Sequence, residues 1–170
     1  MDNAVGRELF LVLAEQHGLD VFIETGTADG GTAYWASNHF SHVVTVEYIY
    51  STFLLAFQKY WNVPNLKFVQ GDSEFWVPHI AYMVTQPALW FLDAHWVGDG
   101  EVAPSGVTPI VGELDVIMRQ ESDHVIVVDD ARLFGTEAGY PTVDKVKALC
   151  INHGFMFSQE GDMFVLRRNS

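Results

Sequence analysis

The residues best suited to chemistry are three aspartates and one histidine that follow two strongly apolar segments. Asp93 and His95 come directly after the first segment, and Asp129 and Asp130 come directly after the second. Carboxylates held close together repel one another unless protons or a cation lie between them. Oxygen ligands of this kind suit Mg²⁺, Mn²⁺ or Ca²⁺ better than zinc. If the two segments are neighbouring strands, Asp93, Asp129 and Asp130 predict a metal site.

His95 has two chemical roles open to it. It lies two residues beyond Asp93, so the two side chains share a face if the segment is extended. His95 could act as general base on a hydroxyl group or as a further metal ligand. It could equally be a packed loop residue beside Trp96. Arg132 could meet an acidic substrate, but pairing with Asp130 is favoured.

A glycine-rich segment forms the second group of candidates. Residues 24–32, Glu-Thr-Gly-Thr-Ala-Asp-Gly-Gly-Thr, follow a short apolar strand and lead into a predicted helix. Glycines let the backbone approach a ligand closely, and the first turn of a helix offers free N–H groups. Ala28 stands where the dinucleotide pattern Gly-x-Gly-x-x-Gly has its second glycine. The segment predicts a ligand-binding turn or, alternatively, a turn that is glycine-rich for steric reasons alone.

Acidic residues follow the next two predicted strands. Glu47 lies about twenty residues beyond the glycine-rich segment, where a carboxylate can accept hydrogen bonds from both ribose hydroxyls. A solvated acid at a strand end is the alternative. Asp72 could accept a hydrogen bond from an adenine amino group, although an Asp before a helix is also an ordinary N-cap.

Alternating strands and helices must position these residues. Helices are predicted at 4–17, 31–40, 48–61, 73–83, 109–121 and 142–152, and strands at 21–23, 43–46, 66–70, 88–92 and 125–128. This alternation indicates an α/β fold with a doubly wound, Rossmann-like, mostly parallel sheet.

The carboxyl-terminal segment departs from the alternation. Segments 155–158 and 163–166 are separated by four residues, too few for a parallel crossover. They predict a hairpin whose last strand runs antiparallel to the sheet.

The whole set resembles the class I S-adenosylmethionine-dependent methyltransferases over essentially the entire chain. The resemblance implies that Gly26 and its neighbours hold the methionine part of the cofactor, Glu47 the ribose and Asp72 the adenine. The expected cofactor-binding residues are Glu24, Thr25, Gly26, Thr27, Gly30, Gly31, Thr32, Glu47, Tyr48, Asp72, Ser73 and Asp93.

The Asp93…Asp129-Asp130 pattern is similar to that of the metal-dependent small-molecule O-methyltransferases of the catechol and macrolide-sugar types. The resemblance implies a divalent cation that holds two substrate oxygens and lowers the pKa of the attacking hydroxyl. The expected metal ligands are Asp93, Asp129 and Asp130, and the expected catalytic residues are His95 and Asp93. Alternatively, Asp93 contacts the amino group of the cofactor while Asp129 or Asp130 caps a turn.

Two features bear on the substrate pocket. Only one helix precedes the first strand, so we expect the pocket to be open or to be completed by a second subunit of a homo-oligomer. Residues 94–108 form a long loop that is typical of a lid, and Trp96 and Glu101 could line it.

Composition narrows the classes of function. The chain has 170 residues and a net charge of −13, without the basic stripe of nucleic-acid-binding proteins. We therefore expect one methyltransferase-like domain over residues 1–170 and a small-molecule acceptor, with no nucleic-acid or membrane partner. The single cysteine, Cys150, suits the reducing cytoplasm. The alternatives are a non-catalytic cofactor-binding or interaction module and, less favoured, a nicotinamide-dependent oxidoreductase.

Overall fold

The computed structural model describes residues 3–95 and 108–168, which form a seven-stranded sheet with helices on both faces. The strands are β1 (Val21–Thr25), β2 (His42–Glu47), β3 (Leu66–Gln70), β4 (Leu89–Leu92), β5 (Val125–Val128), β6 (Phe155–Glu160) and β7 (Met163–Arg168). The helices are α1 (Asn3–His17), α2 (Gly31–Ala36), α3 (Tyr50–Tyr60), α4 (Ser73–Met83), α5 (Ile110–Met118) and α6 (Val143–His153).

The strands pair in the order β3-β2-β1-β4-β5-β7-β6, and β1 to β5 are parallel. The predicted doubly wound, mostly parallel sheet is therefore confirmed. β4 and β5 are direct neighbours, with Leu92 paired to Val128. The ends of these two strands, and the acidic residues that follow them, consequently lie side by side.

β4 and β5 are apolar throughout because both faces of the sheet are covered there. In β4, Leu89 and Phe91 face the apolar cluster that includes α1 and α2, whereas Trp90 and Leu92 face the cluster that includes α4, α5 and α6. Tyr60 of α3 packs against the first cluster. Burying each such side chain contributes about 1.5–3 kcal/mol to folding.

The carboxyl-terminal hairpin is confirmed. β7 pairs antiparallel with both β5 and β6, so it lies inside the sheet while β6 forms the edge. Its turn is shorter than the predicted four residues, because pairing extends to Glu160 and Met163. Gly161, with a φ of 62°, provides the left-handed conformation that so tight a turn requires.

Three predicted helices differ from the structure by two residues or more at one end. The helix predicted at 109–121 ends at Met118. The helix predicted to reach Phe40 ends at Ala36, because the side chains of Ser37 and Asn38 hydrogen-bond the carbonyl of Tyr34. The helix predicted from Tyr48 begins at Tyr50. Among the described residues, no helix has both the length and the apolar character needed to cross a membrane.

Candidate active site

The glycine-rich turn between β1 and α2 lies against the end of β4. Gly26 has a φ of 89°, and a Cβ atom on it would lie 2.5 Å from the carbonyl oxygen of Asp93. The Gly26 N–H donates to the carbonyl of Val46 at 2.9 Å. A side chain at this position would therefore separate the turn from β4, which accounts for the glycine.

Glu47 is held at the end of β2 by two backbone groups. Its carboxylate accepts hydrogen bonds from the N–H of Ala28 at 3.0 Å and from the N–H of Ile49 at 2.8 Å. Ala28 has a φ of 47°, a conformation that costs a non-glycine residue about 1–2 kcal/mol. Each carboxylate oxygen has a second lone pair, so Glu47 retains the capacity to accept ribose hydroxyls.

The polar side chains of the turn itself are mostly buried beneath it. Glu24, Thr25 and Thr27 are all buried, so their side chains support the turn from below. The Thr45 hydroxyl donates to Glu24 at 2.7 Å and lies 2.6 Å from the Thr27 hydroxyl. Burial raises the pKa of Glu24 to about 8. Glu24 is therefore mainly protonated at neutral pH.

The end of β3 is followed by a capped helix. The Asp72 side chain accepts a hydrogen bond from the Glu74 N–H at 3.0 Å, which confirms the N-cap, and Ser73 is buried. Tyr48, which follows β2, is partly buried, and its carbonyl accepts from the Gln70 side chain at 3.0 Å.

A buried acid in this region was not predicted from the sequence. Glu113 of α5 is 1% exposed, and burial raises its pKa to about 7. The hydroxyls of Ser73 and Thr25 offset part of this rise. Even so, both carboxylate oxygens of Glu113 lack a hydrogen bond of ordinary geometry to the described residues, and so does the Thr25 hydroxyl. An acid on the apolar face of a helix is the signal that could have identified it.

The ends of β4 and β5 open into an acidic cavity of about 270 Å³. The backbone pairing continues one residue beyond each strand, with Asp93 N–H bonded to Thr25 O at 3.0 Å and Asp129 N–H bonded to Leu92 O at 3.1 Å. The three predicted aspartates, Asp93, Asp129 and Asp130, therefore line this cavity. Its lining residues are Gly6, Arg7, Phe10, Thr32, Phe91, Asp93, His95, Asp129 and Asp130.

His95 lies between two carboxylates. Its Nδ1 is 3.5 Å from Asp93 Oδ1, and its Nε2 is 3.4 Å from Asp130 Oδ2. Burial raises the pKa of Asp93, and the hydrogen bond from His95 partly opposes that rise. The interaction with Asp93 raises the pKa of His95. A proton on His95, or a cation in its neighbourhood, relieves the repulsion between the two acids.

Asp129 and Asp130 have different surroundings although they are adjacent. Burial, with the nearby charge of Asp93, raises the pKa of Asp129 to about 7. Asp130 has a φ of 56° and donates its N–H to Asp129 Oδ1 at 2.7 Å. Arg132 Nη1 contacts Asp130 Oδ1 at 2.6 Å and also contacts Asp162, so the predicted Arg132–Asp130 pair is confirmed.

The predicted metal ligands fall into two overlapping groups. Asp93, His95 and Asp130 offer ligand atoms within 4.8 Å of one another, and Asp129, Asp130 and Asp162 do the same. Asp93 and Asp129 therefore fall into different groups, and only Asp130 belongs to both. Neither group is the predicted set of Asp93, Asp129 and Asp130, since His95 belongs to one and Asp162 to the other. Asp162 was missed because its place in the hairpin turn becomes adjacent to β5 only through the antiparallel β7.

The sequence also did not indicate the contribution of α1 to this cavity. The helical spacing that predicted a helix at 4–17 singled out neither Phe10 nor Arg7 as a residue of the site. Tyr140 lies near His95, with ring centroids 6.3 Å apart, and burial raises its pKa. The proposed lid residues Trp96 and Glu101, with most of that loop, lie outside the described residues.

Comparison with solved structures identifies methyltransferases. CalS10, an amino pentose methyltransferase from Micromonospora echinaspora solved with bound S-adenosylmethionine, gives a TM-score of 0.67 at 12% identity, covering 99% of this chain and 91% of that one. The chain is also similar to an O-methyltransferase from Bacillus cereus in complex with S-adenosylhomocysteine, with a TM-score of 0.61 and 15% identity. That alignment covers 98% of this chain and 81% of the other. The 23S rRNA methyltransferase ErmE has a TM-score of 0.58 with this chain at 14% identity, and the alignment covers 96% of this chain and 68% of ErmE.

No protein-family model matches the chain, and no curated protein matches it in sequence. At the low identities of the solved structures, the similarity establishes architecture. The strand order and the antiparallel carboxyl-terminal hairpin agree with it. The chain therefore has the Rossmann-like fold of the class I S-adenosylmethionine-dependent methyltransferases.

Proposed function

We propose that this protein transfers the methyl group of S-adenosylmethionine to a hydroxyl group of a small molecule. The observation that carries the proposal is one cavity that joins three aspartates and a histidine beside a glycine-rich turn, at the carboxyl ends of parallel strands. Ligands of open α/β sheets bind at this edge. Structures of this fold that hold S-adenosylmethionine or S-adenosylhomocysteine support the choice of cofactor.

The cofactor would lie across the ends of β1, β2 and β3. Gly26, without a side chain, leaves the backbone of the turn open to the methionine part. Glu47 is already oriented by two N–H groups and would accept the ribose hydroxyls. Asp72, at the start of α4, would accept the adenine amino group. The buried Glu24, Thr25 and Thr27 would act by supporting the turn.

Methyl transfer from a sulfonium is an in-line displacement, so the protein has to align the acceptor oxygen with the methyl group and remove its proton. We propose His95 as the group that accepts this proton. Asp93 and Asp130 face its two ring nitrogens and would stabilise the imidazolium that results. This arrangement provides a base and its charge partners inside the cavity.

As an alternative to His95 acting as the base, the same side chains fit a divalent cation, with His95 as a ligand. Two carboxylates and an imidazole, from Asp93, Asp130 and His95, offer ligand atoms within 4.8 Å of one another. Hard divalent cations prefer carboxylate oxygen as a ligand. A bound Mg²⁺ or Mn²⁺ would supply Lewis-acid chemistry that acidifies the acceptor hydroxyl. Arg132 already neutralises one oxygen of Asp130, which leaves the other oxygen for such a cation.

Charge and size favour a small acceptor. The net charge of −13 opposes the phosphate backbone of a nucleic acid, and a cavity of about 270 Å³ suits a compact molecule. Although ErmE shares the fold and acts on RNA, we propose a hydroxylated small molecule as the acceptor here.

Calorimetric titration with S-adenosylmethionine, with and without excess Mg²⁺, tests the proposal. We expect binding in both conditions and a separate heat of Mg²⁺ binding that Asp93→Asn and Asp130→Asn abolish. Asp123→Asn is the matched control, because Asp123 is exposed and precedes β5 at the opposite edge of the sheet. Absence of binding by the cofactor overturns the methyltransferase proposal. An unchanged Mg²⁺ heat in the two site variants overturns the cation alone.

A further inference from the structure

One guanidinium group lines the otherwise acidic cavity. Arg7 of α1 shares the lining with Asp93, Asp129, Asp130 and His95. Among the described residues that line the cavity, it is the only arginine or lysine. A permanent cation in this position can recognise an anionic part of a ligand.

The guanidinium is held in place by α2. Arg7 Nη2 donates to the carbonyl of Gly31 at 3.2 Å, and Arg7 Cζ lies 5.5 Å from the centre of the Trp35 ring. These contacts fix the group before a ligand arrives. A pre-oriented guanidinium loses less side-chain freedom when it forms further hydrogen bonds.

Arg7 has no acidic partner among the described residues. None of the described acids lies within salt-bridge distance of it. The Nε atom is buried and has no hydrogen-bond partner among these residues. A buried N–H without a partner is unfavourable, and an acceptor on a ligand would remove that penalty.

Neutralisation of the aspartates is the competing explanation for Arg7. His95 lies between Asp93 and Asp130, and Arg132 contacts Asp130 directly. Arg132 therefore pairs with Asp130, and a protonated His95 would lie between Asp93 and Asp130. Arg7 also lines the cavity, but it contacts α2 and pairs with none of these aspartates.

We propose that Arg7 binds a carboxylate of the ligand that occupies this cavity. A guanidinium presents paired N–H groups that match the two oxygens of a carboxylate. The carboxylate has two sources: the amino-acid end of the cofactor, which rests on the proposed function, or an acidic acceptor molecule. The sequence pattern assigned Arg7 no role, so this residue adds a specificity determinant to the site.

The cofactor source is tested with two nucleosides that differ only at the relevant end. S-adenosylhomocysteine has the amino-acid group, and 5′-methylthioadenosine lacks it. If the carboxylate belongs to the cofactor, Arg7→Met weakens binding of S-adenosylhomocysteine about tenfold or more and leaves 5′-methylthioadenosine unchanged. Arg7→Lys retains the charge without the paired geometry and should fall between wild type and Arg7→Met.

The acceptor source is tested with benzoate and benzyl alcohol as probes, with S-adenosylhomocysteine present at saturation. If the carboxylate belongs to the acceptor, Arg7→Met weakens benzoate binding and leaves benzyl alcohol and the nucleoside unchanged. Arg119→Met is the matched control, because Arg119 is exposed, pairs with Asp115 at the end of α5 and should affect no probe.

The outcomes separate this proposal from the proposed function. Unchanged affinities of Arg7→Met for both S-adenosylhomocysteine and benzoate overturn the role of Arg7. Equal losses for S-adenosylhomocysteine and 5′-methylthioadenosine also overturn it, because they indicate a general structural defect. Failure of wild type to bind either nucleoside overturns the proposed function, and the benzoate comparison without nucleoside then decides the role of Arg7.

Discussion

Replacing Glu24 by glutamine should make the protein more stable at alkaline pH. Glu24 is 2% exposed and lies beneath the glycine-rich turn, where the hydroxyl of Thr45 is its hydrogen-bond partner. Glutamine has nearly the same shape and can accept the same hydrogen bond, but it never ionises. The variant therefore removes the cost of a buried charge and keeps the packing.

The expected size follows from the pKa of Glu24, which burial raises from 4.5 to about 8. Because the folded protein holds this proton more tightly, the stabilising contribution is complete below pH 4.5 and is lost as pH rises through 8. At about 1.4 kcal/mol for each pKa unit, the free energy of unfolding of wild type falls by roughly 5 kcal/mol between acid and alkaline pH. The Glu24→Gln protein should escape most of this loss.

Urea unfolding at about pH 5, 7 and 9 measures the effect. We expect Glu24→Gln and wild type to be similar at pH 5, with an advantage of several kcal/mol for the variant at pH 9. Glu15→Gln on the exposed side of α1 is the control and should show no growing advantage. A difference between Glu24→Gln and wild type that does not change with pH would refute the reasoning.

Three further results are expected. Gly26→Ala should lower the melting temperature more than Gly18→Ala, because a Cβ on Gly26 meets the Asp93 backbone at 2.5 Å and one on Gly18 meets nothing within 4 Å; thermal unfolding compares the two. Gly26→Ala should also weaken S-adenosylmethionine binding at temperatures where it is folded, as calorimetry can show. Burial lowers the pKa of His124 from 6.5 to about 4, so its contribution to stability is present above pH 6.5 and lost as pH falls through 4. Urea unfolding of wild type should show that the free energy of unfolding falls by about 3 kcal/mol as pH is lowered through 4. The His124→Asn protein should lack this acid-dependent fall.

The fold was largely predictable from the sequence because its central strands are buried on both faces. The segment 125–128 agrees with β5 residue by residue, and the predicted segment 88–92 exceeds β4 by a single residue. Such strands are continuous apolar runs bounded by turn residues, which leave few alternatives. Helix ends were less predictable. The end of α2 depends on the side-chain hydrogen bonds of Ser37 and Asn38, which propensity alone does not specify.

The candidate site was predictable only where it follows the strands. The sequence indicated Asp93, Asp129 and Asp130 because the carboxyl ends of adjacent parallel strands meet at one edge. It gave no sign of Arg7 or Asp162, since these come from a helix before the sheet and from the final hairpin turn. Their positions depend on tertiary packing, so only the three-dimensional structure brings them to the cavity and its margin.

The buried acids provide an argument for the site that does not depend on sequence pattern. Burial raises the pKa of Glu24, Glu113 and Asp129, so each one disfavours folding at neutral or alkaline pH relative to acid pH. Residues whose pKa is strongly shifted by burial concentrate at functional sites. His124, at the other end of β5, shows that a residue outside the candidate site can have such a shift too. What distinguishes the acids is their location at the ligand-facing ends of the strands or directly beneath them. Ligand binding at the carboxyl ends of the strands would offset the folding cost of these acids, whereas His124 lies at the opposite end of β5.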